Sequence, residues 1–219
     1  APTVRAMAAA LAPTSKARAQ IPIVPLAEDY PVSHAQRRLW VLAQLGGNPA
    51  AYVLSAAYRL DGALAADALI SAIEALPMRH DALRTVFLST PDGVRQRPLA
   101  DLSFEVATVD LTEAADPEQA ALALAEANAA RSFDLATGPL LAATLLTLAP
   151  DRHVLLFAVH HIVSDAESVT VMVEEIVQLA RGAALPPLRL QLKEQAAVEA
   201  AWLRTPAATA TRDWWHAQL

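Results

Sequence analysis

The sequence predicts a mixed α/β fold, a sheet with helices packed on it. Three observations carry that prediction. The run Val154-Leu155-Leu156-Phe157-Ala158-Val159 is continuously apolar, as a strand covered on both faces should be. Leu69, Ile70, Ile73 and Leu76 repeat at helical spacing, as do Val169, Met172, Val173 and Ile176. Pro91-Asp92-Gly93 separates two β-rich runs and signals a hairpin.

The elements follow in order. Thr3 to Leu11 reads as a short amphipathic helix with Val4, Met7, Ala8 and Leu11 on one face, Ala12 to Gln20 as a linker, and Ile21 to Pro31 as an extended approach. Residues 1–20 are basic, alanine-rich and free of acidic residues, a composition shared with transit peptides, yet they show no cleavage pattern. Ser33 and Gln36 form a capping box that opens a helix to about Gln44. Tyr52 to Leu60 reads as a strand, Asp61-Gly62 as a turn, and Ala65 to Leu76 as a helix. Leu83 to Ser89 and Val94 to Pro98 are the hairpin arms, and Phe104 to Val109 is a further strand. Pro117 to Arg131 is a helix with proline at a tolerated first-turn position. Leu140 to Leu148 and His153 to Val159 are strands, followed by a helix to about Leu179. Pro186-Pro187 interrupts the chain before helices at about 191–203 and 209–218.

Composition narrows the function. The 219 residues are 54% hydrophobic and 18% charged, with mean hydropathy +0.29, so a sizeable core can be buried. No apolar run reaches the roughly 18 residues of a membrane helix. The net charge of -6 argues against a nucleic-acid binder held by phosphate contacts. Cysteine is absent, which excludes disulfides and thiolate chemistry and fits a reducing, cytoplasmic compartment. There is no GxSxG elbow, P-loop or GxGxxG after a strand.

The chemistry-bearing segment is Val159-His160-His161-Ile162-Val163-Ser164-Asp165, at the end of a buried strand and the start of a helix. Adjacent strand residues point to opposite faces, so one histidine should face a cleft and the other should pack. That argues against a two-histidine metal site, and no metal is expected. A cleft histidine suits general-base work near neutral pH, but a lone histidine at a strand end is more often a satisfied polar cap than a catalyst. Asp165, or Ser164 with Glu167, can cap the helix, and capping alone would account for all three. Trp214-Trp215 reads as packing rather than a ligand platform.

Three segments, in order, resemble the core motifs of condensation domains of nonribosomal peptide synthetases. Ser33-His34-Ala35-Gln36-Arg37-Arg38-Leu39-Trp40 resembles the first motif, S-x-A-Q-x-R-L-W. Arg79-His80-Asp81-Ala82-Leu83-Arg84-Thr85-Val86-Phe87 resembles the second, R-H-E-x-L-R-T-x-F. His160-His161-Ile162-Val163-Ser164-Asp165-Ala166-Glu167-Ser168 resembles the third, H-H-x-x-x-D-G-x-S. The resemblance implies a chloramphenicol acetyltransferase-like lobe: residues 21–219 as the N-terminal lobe of a condensation domain whose C-terminal lobe is missing, and residues 1–20 as the end of a preceding carrier protein and a linker. It implies that donor and acceptor peptidyl carrier proteins deliver substrates on phosphopantetheine arms to a tunnel between two lobes. An amine there attacks a thioester, with no tightly bound cofactor and no nucleic-acid or membrane partner.

Carried over residue by residue, His161 is the catalytic histidine. His160 and Asp165 support it, Asp165 through an arginine of the second lobe, together with Ala166 and Ser168. Ser33, Gln36, Arg38, Trp40, Arg79, His80 and Arg84 hold the lobe together. Arg79 also has a simpler reading as a cation near a helix C-terminus. The family glycine is Ala166 here, whose methyl group is expected at a close-packed turn, and its bulky neighbour is Glu167. The family's aromatic-x-Asp-aromatic-Ala stretch is Leu192-Lys193-Glu194-Gln195-Ala196, and Ala142 stands where many members are basic. Two other readings stay open: a degenerate lobe that only binds carrier proteins, and a coenzyme A-type acyltransferase.

Overall fold

The computed structural model describes Thr3 and residues 21–219. The helix and linker expected over most of residues 1–20 lie outside the described residues. Two sheets and seven helices occupy the described part, in the order β1 (Tyr30–Pro31), α1 (His34–Gln44), β2 (Val53–Asp61), α2 (Ala66–Glu74), α3 (Leu76–Arg79), β3 (Thr85–Thr90), β4 (Gly93–Pro98), β5 (Ala107–Asp110), α4 (Pro117–Ala129), β6 (Leu141–Ala149), β7 (Arg152–His160), α5 (Ala166–Ala180), α6 (Leu192–Trp202) and α7 (Pro206–Gln218).

The larger sheet runs β2-β7-β6-β5, antiparallel except for the parallel β5–β6 pair. β7 is its centre, and residues 155–160 are buried without a break. Both faces are covered, as the apolar run requires. On one face Phe157, Val159 and Leu155 pack with Leu69 and Ile73 of α2 and with Met172 and Ile176 of α5. On the other, Leu156, Leu146 and Leu148 pack with Ala121 of α4. The smaller sheet, β1-β4-β3, is antiparallel and adds Phe87 and Val94 to the main core. Thr90 pairs with Gly93 across the hairpin, and Gly93 holds φ at +106°, which a side chain would strain.

Several predicted boundaries move, each for a local reason. The helix expected over Ala65–Leu76 stops at Glu74 and restarts as α3, because Pro77 has no N–H to continue the first ladder. The strand expected from Phe104 begins only at Ala107, since the Val106 N–H donates to Glu74 Oε1 of α2 (3.1 Å) instead of a neighbouring strand. Leu83 and Arg84 belong to a 3-10 turn, Asp81–Arg84, closed by the Arg84–Asp81 ion pair. The last helix starts earlier than expected, at Pro206, with Thr205 as its cap.

Candidate active site

His160 is the last residue of β7 and His161 opens the turn after it, and the two part as expected, one buried and one exposed. His160 is 4% exposed. Its Nδ1 accepts from the Ile162 N–H (3.0 Å), and Phe133 meets its ring edge-on at 6.3 Å. Burial, and then the neighbouring His161, pull its pKa down to about 4, so the ring is neutral at physiological pH.

His161 is exposed and lines a cleft of about 450 Å³ with Ser33, Arg38, Tyr52, Asp165 and Gln195. Its backbone N–H donates to the Tyr52 carbonyl (2.8 Å). Its Nδ1 lies 2.6 Å from the Ser164 carbonyl. A carbonyl can only accept, so Nδ1 carries the proton and Nε2 is the basic nitrogen of the neutral ring. This arrangement suits taking a proton from, or orienting, an N–H or O–H nucleophile in the cleft. A second hollow of about 510 Å³ shares Asp165 and Ser168 with the cleft and extends past them to His80 and Met172.

Asp165 is the N-cap of α5, replacing the Ser164–Glu167 box as the capping device. Its Oδ1 accepts from the Ser168 N–H (2.8 Å) and the Ser168 hydroxyl (2.6 Å). The Ser168 bonds, side chain first, hold its carboxyl below the usual range, and it is solvent-exposed. Among the described residues no cation pairs with it. Ala166 is likewise exposed, beside an open groove of about 380 Å³ with Phe157 and Val169. Its methyl group is exposed and meets no close-packed turn, contrary to expectation.

The first motif supports the site from behind. Ser33 and Gln36 form the predicted capping box. Gln36 is buried, and its Nε2 reaches the Ile162 carbonyl (3.5 Å), next to His161, and Gln96 Oε1 (3.4 Å). Gln96 in turn donates to the Pro31 carbonyl (2.7 Å). Trp40 packs on the core, and Arg38 is exposed at the cleft wall.

The second motif anchors α5. Arg79 donates to Glu175 Oε1 (3.0 Å) and to the Pro186 carbonyl (2.7 Å), more than the simple helix-end cation of the alternative reading. His80 Nε2 lies 2.6 Å from Glu175 Oε2. Burial pushes the Glu175 carboxyl up, but bonds from Arg79 and His80, and their charge, outweigh it and hold the group below its ordinary value. Arg84 binds the Leu99 carbonyl and Asp81 (2.5 Å), which Lys193 of α6 also pairs (2.5 Å). Glu194 is buried and closes a capping box with Gln191, whose side chain binds the backbone of Arg79 and Asp81.

Sequence reasoning missed Glu175, Gln96 and Tyr52. Glu175 carried a readable signal: a carboxylate beside Met172 and Ile176 on an apolar helix stripe implies a buried partner. Gln96 and Tyr52 carried none. Trp214 and Trp215, expected to pack, meet each other edge-on and are 55% and 54% exposed. Among the described residues no three potential ligands gather to hold a metal, and no helix is long and apolar enough to cross a membrane.

Comparison with known proteins agrees with this geometry. The condensation-domain model matches residues 26–219. Tyrocidine synthase 3 of Brevibacillus parabrevis is 35% identical over 98% of this chain and 3% of its own length. Malpinin synthetase of Mortierella alpina is 38% identical over 87% of this chain and 2% of its own length. The starter condensation domain of rhizomide synthetase RzmA superposes with a TM-score of 0.79 at 22% identity, covering 88% of this chain and 48% of that one. The first condensation domain of the calcium-dependent antibiotic synthetase gives 0.74 at 24%, with 88% and 48% covered. The chain thus spans about half of these solved chains and a small fraction of the synthetases, and the structural likeness establishes a chloramphenicol acetyltransferase-like fold. With both histidines, the capping aspartate and the anchoring motifs in place, the chain belongs to the condensation-domain family of nonribosomal peptide synthetases.

Proposed function

We propose that residues 21–219 form the N-terminal lobe of a condensation domain that joins a carrier-bound acyl or peptidyl thioester to the amine of a carrier-bound amino acid. Both substrates arrive on phosphopantetheine arms. The amine nitrogen attacks the thioester carbonyl, a C–N bond forms, the C–S bond breaks, and the thiol leaves. His161 Nε2 takes or orients the amine proton. His160 packs behind it, and Asp165 fixes the start of α5 and meets an arginine of the second lobe.

One observation carries this reading: His161 stands at the cleft with Nδ1 held by the Ser164 carbonyl, while His160 is buried and neutral. The test is amide formation from carrier-bound substrates by the complete domain. His161→Ala should lower turnover by about 10²–10⁴-fold, the range of general acid–base catalysis, with the melting temperature unchanged. Near-normal turnover would remove His161 from the mechanism. The lobe alone should form no amide, since it supplies one wall of the tunnel; measured formation by it would contradict the reading. Carrier binding without product under any pairing would mark an interaction module instead.

A further inference from the structure

The turn after β7 is pinned by its neighbours, and one pin leads away from the cleft. The His161 N–H donates to the Tyr52 carbonyl (2.8 Å), the Ile162 N–H to His160 Nδ1 (3.0 Å), and the Ile162 carbonyl accepts from Gln36 Nε2 (3.5 Å). Gln36 Nε2 is shared with Gln96 Oε1 (3.4 Å), and Gln96 Nε2 donates to the Pro31 carbonyl (2.7 Å). Gln96 is 1% exposed on the central strand of the smaller sheet and does not line the cleft. Chemistry leaves neither amide a choice of orientation. The Pro31 carbonyl can only accept, so Gln96 presents its nitrogen there and its oxygen to Gln36. The Ser33 N–H can only donate, and Gln36 Oε1 receives it (2.9 Å), so the Gln36 nitrogen faces Gln96 and Ile162.

We propose that Gln96 is a positioning residue for His161, acting through Gln36, a role that rests on His161 being the working histidine of the cleft. Both bonds from Gln36 Nε2 are long, so each is weak and its angle soft. The nitrogen stays centred between its acceptors only while both are present. Without Gln96 Oε1 the Gln36 amide is free to turn, and the Ile162 peptide, joined directly to His161, shifts with it. Gln96 is too deeply buried for bulk water to replace the lost acceptor. A displacement of about 1 Å at a working group costs on the order of a hundredfold in rate, so a fraction of that is readable in turnover. Gln96 touches no substrate; it sets where the imidazole stands.

The experiment uses the complete domain with isotope-labelled histidine side chains. Gln96→Met keeps the length of the side chain and removes both of its bonds. It should lower kcat about tenfold to a hundredfold with KM for the carrier-bound substrates within about twofold, and move the His161 imidazole resonance. Gln36→Met should do the same, and the double variant should be no slower than Gln36→Met alone, because the two amides act in series. Thr85→Val deletes a buried bond to the Asp81 carbonyl (2.6 Å) at the start of β3; it should lower the melting temperature and leave kcat and the resonance unchanged. If Gln96→Met does not fold, Gln96→Asn, one methylene too short to reach both partners, takes its place. An unmoved His161 resonance, kcat losses that multiply in the double variant, or a kcat loss matched by Thr85→Val would each overturn the proposal. The resonance is read without substrate, so it judges Gln96 even where His161→Ala leaves turnover intact and the proposed reaction fails.

Discussion

Arg79→Met tests whether the second motif anchors the helix that begins at Asp165. The substitution removes a charge-assisted bond to Glu175 (3.0 Å) and another to the Pro186 carbonyl (2.7 Å). The two side chains are 16% and 10% exposed, so Glu175 is left largely buried. Breaking a buried pair costs about 3–5 kcal/mol. His80 still partners Glu175 at 2.6 Å, which places the expected loss near about 3 kcal/mol. Replacing both partners, as Arg79→Met with Glu175→Leu, removes the stranded charge and should return stability to within about 1 kcal/mol of the parent. The pH dependence has a definite sign. The folded Glu175 carboxyl titrates below its unfolded value, so its stabilisation is present above about pH 4.3 and is lost as pH falls through the folded pKa. Without Arg79 that folded pKa rises and the loss begins at higher pH. Urea unfolding of the complete domain at neutral and mildly acidic pH reads all three effects. A cost below about 1 kcal/mol, typical of an exposed ion pair, would refute the argument. So would a double variant no more stable than the single.

Three further outcomes follow from the same contacts. His160 should titrate near pH 4 by NMR, and its contribution should weaken the fold as pH drops from about 6.5 toward 4, because the unfolded ring takes up protons first; a titration near 6.5 contradicts its burial. Asp165→Ala removes the cap of α5 and should cost about 1 kcal/mol of stability in denaturant unfolding, with a loss above about 3 kcal/mol pointing to a role beyond capping. Gln36→Leu leaves the Ser33 N–H and Gln96 Oε1 without their partner and should cost about 1–3 kcal/mol, checked by the shift in unfolding midpoint; a neutral result would mean those groups find partners elsewhere.

The legible parts of this protein are those whose cause lies within a few residues. The Ser33–Gln36 box is a local hydrogen-bond exchange, the hairpin at Gly93 a local backbone demand, and the unbroken burial of residues 155–160 the direct image of an apolar run. The contrast between a packed His160 and an exposed His161 was expected from strand period, although His161 lies in the turn just beyond β7, and the three ordered motifs already pointed to the family. What tertiary structure decided lies far apart in the chain. Glu175 meets His80 across 95 residues, Asp81 meets Lys193 across 112, and Gln36 reaches Ile162 across 126. Periodicity marks which face of an element is buried but not which element covers it. Glu175 therefore signalled a buried partner without saying which, and Gln96 read only as a polar strand residue. The end of the Phe104 strand prediction has the same origin: Glu74, on a helix 32 residues earlier, takes the Val106 donor. Which of two adjacent imidazoles keeps a free basic nitrogen was likewise set by docking, because Phe133 and the turn before β2 pack beside His160, while the loop at Ser164 fixes the proton of His161.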